Sequence, residues 1–330
     1  MPPSFASLVL ALANVAVYLL HPRLVLTFRQ RMGYWPNVAT PRSKNEKFLW
    51  RKVFDRNPLY RLMSDKIAVR EFVAARCPGL AMAEIVWVGP DPREIPDALL
   101  RPGVVIKANN GSDRNIFIRA ASVDRAEIER KVARWIARPH GRSAGEWVYA
   151  LIHPLAFIEK VIEPPTGGDL LDIMCYVVAG KCLLVAIERN MKKPNAQLAL
   201  YDPNGNRYSS DHRSRPAGQV IDELPPDYPV PPTFARAVAQ ARVLGADSDF
   251  VRIDFMSAGD RLYFCECTTM PLSGLSVISG GIDDAVTAAW DLRNAWFMRT
   301  RPGGPLRRLY ARALDATLRE RDTATPSAPS

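Results

Sequence analysis

The chain has 330 residues, of which 48% are hydrophobic and 24% charged, a composition that excludes wholesale disorder. Its formal net charge of +10 comes from the two ends, since residues 1–45 and 299–321 each carry +5 whereas residues 46–298 carry +1. Because a nucleic-acid-binding domain usually has a basic face on the body of the fold, we expect no nucleic-acid partner; basic ends suit an anionic membrane surface at least as well.

The first predicted element is an uncharged apolar run over residues 5–20, which arginines follow. It has no basic segment before it, so we expect no signal peptide. At about 1.5 Å per residue it is somewhat short for a membrane-spanning helix. Packing on the fold and membrane association therefore both stay open, with a mis-set start codon as a third alternative.

The next region, residues 46–100, is predicted to be mainly helical, with Asp65 as the cap of a helix in DKIAVREFVAAR. It ends in a short strand, EIVWVG. The strand VVIKA (104–108), the loop NNGSDR and the strand NIFIR follow. Asp124 begins a capping signature for a helix, and LAFIEKVI (155–162) is a further strand.

The second half is predicted as two hairpins separated by a loop and a helix. The first hairpin joins MCYVV to CLLVAIE, and residues 190–231 form a long loop. A helix over about 234–245 precedes the second hairpin, DFVRIDFM with RLYFCECT, and a last helix covers about 283–298. Helices mixed with antiparallel hairpins indicate an α+β fold rather than a doubly wound sheet.

Common catalytic motifs are missing from the sequence. It contains no HExxH, GxSxG, GxGxxG or Walker A pattern, which argues against zincins, serine hydrolases, Rossmann dehydrogenases and P-loop NTPases. None of the five cysteines forms a CxxC pair. Their odd number favours a reducing compartment, so we expect a cytoplasmic protein.

The second hairpin carries two acids, Asp254 and Glu266, that could share Mg²⁺. If its turn leaves an odd number of residues unpaired, the two acids are diagonal neighbours on one face, about 7–8 Å apart at the backbone. An even turn would place them on opposite faces and exclude the metal site. The alternative is a pair of half-buried surface acids associated with Arg252.

Two further positions suit a nucleotide. Lys107 ends an apolar strand beside a small polar loop, where it could reach a phosphate or be an ordinary solvated lysine. Glu159 and Glu163 interrupt the strand LAFIEKVIE. Their carboxylates could accept hydrogen bonds from an adenine amino group and from ribose hydroxyls, although exposed strand acids are equally common.

Taken together, four segments resemble the ATP-grasp superfamily, specifically its teichuronopeptide-biosynthesis (TupA-like) branch. They are NEKFLWRKVFDRNPLYRLMSDKIAVREFV (45–73), VVIKANNGS (104–112), FIEKVI (157–162) and FVRIDFMSAGDRLYFCECTTMPLSG (250–274). The segments occur in family order over roughly residues 30–298, which is most of the chain. The first and last are specific, whereas the middle two are weak on their own.

The resemblance implies an ATP-grasp fold, in which two α+β subdomains clamp a nucleotide, and it implies ATP and Mg²⁺ as cofactors. The expected parts are an apolar and basic segment (1–29), an N-terminal region (30–100), the nucleotide-binding and catalytic region (101–298) and a basic, then disordered, tail (299–330). The resemblance implies that the phosphates are contacted by Lys107, Gly111 and Ser112, and the adenine by Glu159, Lys160 and Ile162. It implies that the ribose is held by Glu163, and that Mg²⁺ is bound by Asp254, Glu266 and Thr268. The phosphates or the substrate cleft would be lined by Arg252, Lys66, Arg70 and Arg189.

Three positions depart from the family pattern. Many ATP-grasp ligases have Asn where this chain has Thr268, a neutral oxygen ligand. The branch commonly has Lys where this chain has Met174, so one phosphate contact is in doubt. The loop NNGSDRN is also poorer in glycine than usual.

The activity that the resemblance implies is ATP-dependent carboxylate–amine ligation through an acylphosphate. The branch is associated with cell-surface polymers, so the partners would be an amine and a carboxylate acceptor, such as a uronic acid or acidic amino acid on an envelope precursor, handled at the inner-membrane surface. Two alternatives stay open: an ATP-grasp-like phosphotransferase acting on a glycan or small molecule, and a non-catalytic envelope-assembly factor.

Overall fold

The computed structural model describes residues 4–120, 122–138, 140–141, 144–191, 193–209, 222–278, 281–301 and 303–324. The helices are α1 (Phe5–Leu20), α2 (Pro22–Met32), α3 (Lys44–Val53), α4 (Pro58–Ser64), α5 (Val69–Arg76), α6 (Arg125–Ala137), α7 (Phe234–Leu244), α8 (Ile282–Ala289), α9 (Trp296–Thr300) and α10 (Pro305–Ala324). The strands are β1 (Ala81–Met82), β2 (Ile85–Gly89), β3 (Val104–Ala108), β4 (Asn115–Ile118), β5 (Ala156–Lys160), β6 (Leu170–Val178), β7 (Lys181–Arg189), β8 (Gln197–Tyr201), β9 (Asp222–Glu223), β10 (Val251–Ala258) and β11 (Arg261–Thr268).

The strands form a large and a small sheet. The large sheet has the order β1-β11-β10-β6-β7-β8-β9, and its neighbours are antiparallel except for β1 with β11 and β8 with β9. The small sheet has the order β2-β5-β3-β4, is antiparallel throughout, and packs against α6. This arrangement confirms the predicted α+β class.

Helices cover both faces of the large sheet. On one face lie the helices from both ends of the chain, and the buried side chains there include Trp50, Met174, Phe250, Trp290 and Phe297. On the other face lies α7, together with α4 and α5, over a second core that includes Tyr60, Val73, Ala241, Leu244 and Ile253. The catalytic hairpin expected from the sequence, β10–β11, packs its apolar side chains, among them Ile253, Phe255 and Phe264, into this second core.

A buried ionic network fixes α3 to the start of that hairpin. Arg51 Nη2 lies 2.7 Å from Asp249 Oδ1, and both side chains are almost fully buried. Trp290 Nε1 donates to Asp249 Oδ2 at 2.7 Å, and the Tyr60 hydroxyl also donates to this carboxylate. Arg51 Nη1 donates to the carbonyl oxygen of Thr269 at 2.6 Å, just beyond β11. Because both charges are paired and hydrogen-bonded, this network sets the position of the hairpin relative to α3.

The apolar run predicted over residues 5–20 forms α1. One face of α1, with Leu10 and Val17, is buried against the body of the protein, and α10 packs beside it. Within the described residues no single helix is long and apolar enough to cross a membrane. Helices α1 and α2 pass that test only as a pair, and the chain bends by 96° between them.

Four predictions of local structure were wrong in detail. The loop predicted over 190–231 contains β8, because QLALY supplies a short apolar strand that pairs with β7. The helix predicted over 283–298 is divided into α8 and α9, since Asp291 caps an intervening 3₁₀ turn. Asp65 accepts from two backbone N–H groups ahead of α5 instead of capping the helix. The basic segment of 299–330 forms α10, which includes Thr323 and Ala324 of the tail predicted to be disordered over 323–330, and the rest of that tail, 325–330, lies outside the described residues.

Candidate active site

The two acids of the second hairpin face each other directly. The turn between β10 and β11 leaves two residues unpaired, because Ala258 pairs with Arg261. An even turn alone would have placed the acids on opposite faces, as the sequence argument required. The register shifts by one residue at Cys265, and this β-bulge restores the pairing of Asp254 with Glu266. The diagonal arrangement predicted for an odd turn is wrong, but the shared face is confirmed.

Asp254 is held by a bidentate ion pair. Arg252 Nε lies 2.7 Å from Asp254 Oδ1, and Arg252 Nη2 lies 2.6 Å from Asp254 Oδ2. The Thr268 hydroxyl donates to Oδ2 at 3.2 Å. Burial raises the pKa of Asp254 although the Arg252 charge opposes it. Both carboxylate oxygens are therefore engaged by groups that a metal ion or a phosphate would have to displace.

Glu266 lies among three cations. Lys66 Nζ is 3.2 Å from Glu266 Oε2, and it also donates to the carbonyl oxygen of Gly111 at 2.5 Å. Burial favours the neutral acid, but the charges of Lys66, Arg252 and Lys107 outweigh it and lower the pKa of Glu266 to about 2. Glu266 is thus ionised at neutral pH and stabilises a cluster of positive charge.

Lys107 and Glu159 form an ion pair within the small sheet. They are diagonal neighbours on β3 and β5, since Lys107 pairs with Phe157 and Glu159 pairs with Val105. The Glu159 charge outweighs burial and raises the pKa of Lys107, and Cys265 and Glu266 from the large sheet act in the same direction. The lysine predicted at the phosphates and the acid predicted at the adenine are therefore adjacent, and both lie close to Glu266.

The loop after β3 rests on a network of amide hydrogen bonds. The Asn109 side chain donates to Asp65 Oδ1 at 3.1 Å and accepts from the N–H of Leu155 at 2.8 Å. Gly111 is buried, and a Cβ atom there would lie 2.8 Å from His140 Cβ. Ser112 is exposed at the tip. The loop predicted to cover the phosphates thus has a fixed base and an open tip.

Several implied residues lie away from the two acids. Lys160 Nζ is 2.7 Å from the exposed Glu84, and Ile162 and Glu163 follow the end of β5. Arg189 lies 3.4 Å from Asp169 at the end of β7, a strand that β6 separates from β10. Arg70 donates to the carbonyl oxygen of Ala83 at 2.7 Å, and burial lowers its pKa although Glu159 opposes this.

Three residues near the acids were not among the sequence candidates for the site. Cys265 forms the bulge, and alternation of side chains along a strand cannot reveal such an extra residue. Tyr149 lies in a 3₁₀ turn, and burial, with Glu146 and Glu266 adding to it, raises the pKa of its hydroxyl. His140 packs edge-on against the Tyr149 ring at a centroid distance of 5.2 Å. Cys265 is next to Glu266 in the chain, whereas Tyr149 and His140 reach this region only through the tertiary fold.

The donor set at the hairpin fits Mg²⁺. The two carboxylates and the Thr268 hydroxyl offer only oxygen, and Mg²⁺ needs few protein ligands because it keeps water and phosphate oxygens. Among the described residues no group of three or more His, Cys, Asp or Glu could hold a metal ion.

Comparison with known proteins gives one family and several solved structures. The model of the TupA-like ATPgrasp family matches residues 46–285.

A D-alanine–D-alanine ligase from Bacillus anthracis is 18% identical, with 80% of this chain and 70% of that chain covered and a TM-score of 0.34. The ATP-grasp ligase PsnB, complexed with a phosphomimetic variant of its minimal precursor, Mg and ADP, is 13% identical over 75% of this chain and 66% of that chain, with a TM-score of 0.38. The macrocyclase MdnC, bound with precursor peptide MdnA from Microcystis aeruginosa MRC, is 13% identical over 83% and 70%, with a TM-score of 0.33. A search of curated proteins gave no match.

Proposed function

Because the chain belongs to the TupA-like ATP-grasp family, we propose that it is an ATP-dependent carboxylate–amine ligase acting through an acylphosphate. The observation that carries the proposal is the direct pairing of Asp254 with Glu266, flanked by the cations of Lys66, Lys107 and Arg252. A site that alternates acids and cations in this way suits a phosphate group whose charge is shared with a divalent metal.

ATP would bind between the two sheets. Three cations would then bind phosphate oxygens in place of the carboxylates with which they are now paired: Lys66 with Glu266, Lys107 with Glu159, and Arg252 with Asp254. Each is already a charged donor close to Glu266. Gly111 and Ser112 would cover the phosphates. In the family arrangement Glu159, Lys160 and Ile162 would contact the adenine, Glu163 the ribose, and Arg70 and Arg189 the edge of the cleft.

Asp254, Glu266 and Thr268 would hold Mg²⁺, which neutralises charge on the transferring phosphoryl group when it is bound. The protein's own contribution is to orient the reactants and to supply fixed positive charge. Arg252 is well suited to this, since its planar guanidinium can bind two phosphate oxygens at once.

The proposed reaction has two steps. A carboxylate oxygen of the acceptor attacks the γ-phosphorus of ATP, the bond to the bridging oxygen breaks, and ADP leaves. The amine nitrogen then attacks the acyl carbon, phosphate leaves with the bonding electrons, and the amine gives up a proton to form an amide. No side chain forms a covalent bond in this scheme, so no nucleophilic triad is needed.

We propose that the acceptor is a uronic acid or an acidic amino acid on an envelope polysaccharide or polypeptide precursor, handled at the cytoplasmic face of the membrane. Release of ADP by the purified protein tests this when uronic acids and acidic amino acids are screened with and without amines. Addition of hydroxylamine traps an acylphosphate as the hydroxamate. A ligase gives hydroxamate and needs an amine for full turnover, whereas ADP release with a stable phosphorylated product and no hydroxamate would show a phosphotransferase.

Two variants test the site itself. E266Q and K107A should each lower ADP release by at least about 100-fold, because each removes a charge that faces the transferring phosphoryl group. The matched controls are E94Q and K131A, which change exposed residues away from the acids. Normal turnover in E266Q and K107A would refute the assignment. Failure of the full chain to bind Mg-ATP, with D254N neutral in cells, would support a non-catalytic role.

A further inference from the structure

The exposed face of α1 carries a continuous apolar stripe. Its members, called here the α1 stripe, are Phe5, Leu8, Leu12, Val15 and Leu19. They follow one another at intervals of three and four residues, which places them on one helix face, and each is 50–75% exposed. The stripe extends over about 21 Å of helix. The buried residues Leu10 and Val17 lie on the opposite face, so α1 is attached to the protein by one side and apolar on the other.

An aromatic and cationic group lies next to α1. The Trp35 ring is 57% exposed, and its centroid is 6.0 Å from that of Tyr18 on α1. The guanidinium carbon of Arg29 on α2 lies 5.9 Å from the Trp35 ring centroid. Tryptophan and arginine in this arrangement combine an apolar body with a polar or charged end, as residues at a membrane–water interface do.

Basic side chains predominate around α1. Residues 1–45 contain no acidic residue. Exposed arginines on α2 and on α10, the helix that packs beside α1, include Arg23, Arg29, Arg31, Arg308, Arg312 and Arg319. Together they outnumber the acids of α10, which are Asp315, Glu320 and Asp322. A surface that is apolar along one helix and basic beside it is complementary to anionic lipid, which offers negative headgroups above an apolar interior.

We propose that the α1 stripe and its neighbouring arginines dock the protein on a membrane rich in anionic lipid, with α1 lying in the plane of the interface. The 16 residues of α1 span about 24 Å, less than the hydrocarbon core of about 30 Å, and the face with Leu10 and Val17 is packed against the body. A second copy of the chain is a poorer occupant, because a symmetric dimer through this face would oppose like-charged arginines. This inference does not depend on the ligase activity.

Co-sedimentation of the full chain with vesicles tests the proposal. Vesicles of phosphatidylglycerol with phosphatidylcholine should pellet the protein, and vesicles of phosphatidylcholine alone should pellet at least about tenfold less. The variant L8S/L12S/V15S should bind the anionic vesicles at least about tenfold more weakly, because three apolar side chains no longer enter the interface. Its control is V88S/V230S/V243S, which changes exposed valines elsewhere and should bind like the unchanged chain.

The charge contribution has its own pair of variants. R23Q/R31Q/R312Q should lose at least about tenfold in binding to anionic vesicles, whereas R130Q/K131Q/R134Q on α6, with the same change of net charge, should not. Three results would overturn the proposal: the full chain stays in the supernatant with anionic vesicles; L8S/L12S/V15S, still folded by its melting temperature, pellets normally; or sedimentation shows a dimer that L8S/L12S/V15S converts to a monomer without any vesicle binding.

Discussion

Met174 on β6 lies directly opposite Asp254 on β10, in the position where the branch commonly has lysine. The methionine side chain is buried and belongs to the core under the terminal helices. This chain thus places an apolar group beside the acid that Arg252 holds from its other side. At this position the chain has an apolar side chain that packs into the core.

We expect Met174→Lys to tighten ATP binding by roughly tenfold, because an additional ammonium group would lie near the phosphates. We also expect it to lower the melting temperature, since it buries a charge in an apolar core. Titration with ATP and thermal melts measure the two effects. Met174→Leu conserves volume and should change neither, and unaltered ATP affinity in M174K would show that this position does not face the phosphates.

The acid stability of the protein should depend on Glu266. The cations around it lower its pKa from 4.5 to about 2, so its ionised form stabilises the folded state above the ordinary pKa of the group. That contribution is lost as the pH falls from about 4.5 through about 2. Urea unfolding of the unchanged chain should therefore lose more free energy of unfolding over this range than E266Q loses. The pKa of Asp254 is also shifted, but this residue is present in both proteins, so the comparison isolates Glu266. The control variant E94Q should behave like the unchanged protein. Parallel curves for the unchanged chain and E266Q would contradict the prediction.

Asp249 should be one of the most sensitive structural positions. Asp249→Asn leaves the Arg51 charge buried without its partner, which is expected to cost about 3–5 kcal/mol in free energy of unfolding. Asp247→Asn two residues away is the matched control, because its ion pair with Arg76 is exposed and should be worth less than about 1 kcal/mol. Chemical denaturation of both variants measures the loss in free energy of unfolding. Equally small losses for Asp249→Asn and Asp247→Asn would mean that the Arg51 network is dispensable.

The loop after β3 offers a test that leaves all charges in place. Gly111→Ala would bring a Cβ atom to 2.8 Å from His140 Cβ and 2.9 Å from Arg114 Cδ, so the loop or the His140 segment must shift. We expect a KM for ATP raised by about three- to tenfold with a smaller change in kcat, because the loop is proposed to position the phosphates. Gly304→Ala has no atom within 4 Å of its new Cβ and serves as the control. An unchanged KM for ATP in G111A would show that this loop does not position ATP.

The catalytic hairpin shows what side-chain alternation can and cannot predict. Alternation placed Arg252 with Asp254 on β10 and Glu266 with Thr268 on β11, and it put both pairs on one face only if the turn left an odd number of residues unpaired. It could not predict the bulge at Cys265. An extra residue in a strand depends on the length of the turn and on tertiary contacts, which alternation does not report. With the observed two-residue turn, the parity rule alone would have placed Asp254 and Glu266 on opposite faces, and the bulge is what brings them to the same face.

Positions that depend on distant parts of the chain were harder to predict. Arg189 was a candidate because the family resemblance implied it, yet the order of strands in the sheet puts β6 between its strand and β10. Tyr149 and His140 approach the acids only through the connection between the two sheets. Local sequence has no signal for such proximity.

The ionic network around Asp249 also limits how this protein can be divided. Arg51 and Tyr60 belong to the region before the first sheet, while Asp249 precedes β10 and Trp290 follows α8. A gene fragment that encodes only residues 101–298 would leave the Asp249 carboxylate without two of its donors, in the core beneath the catalytic hairpin. Gene fusion or recombination that exchanges the catalytic region alone would thus separate a buried charge from its counter-ion, so the smallest portion that can be transplanted intact also includes α3 and α4.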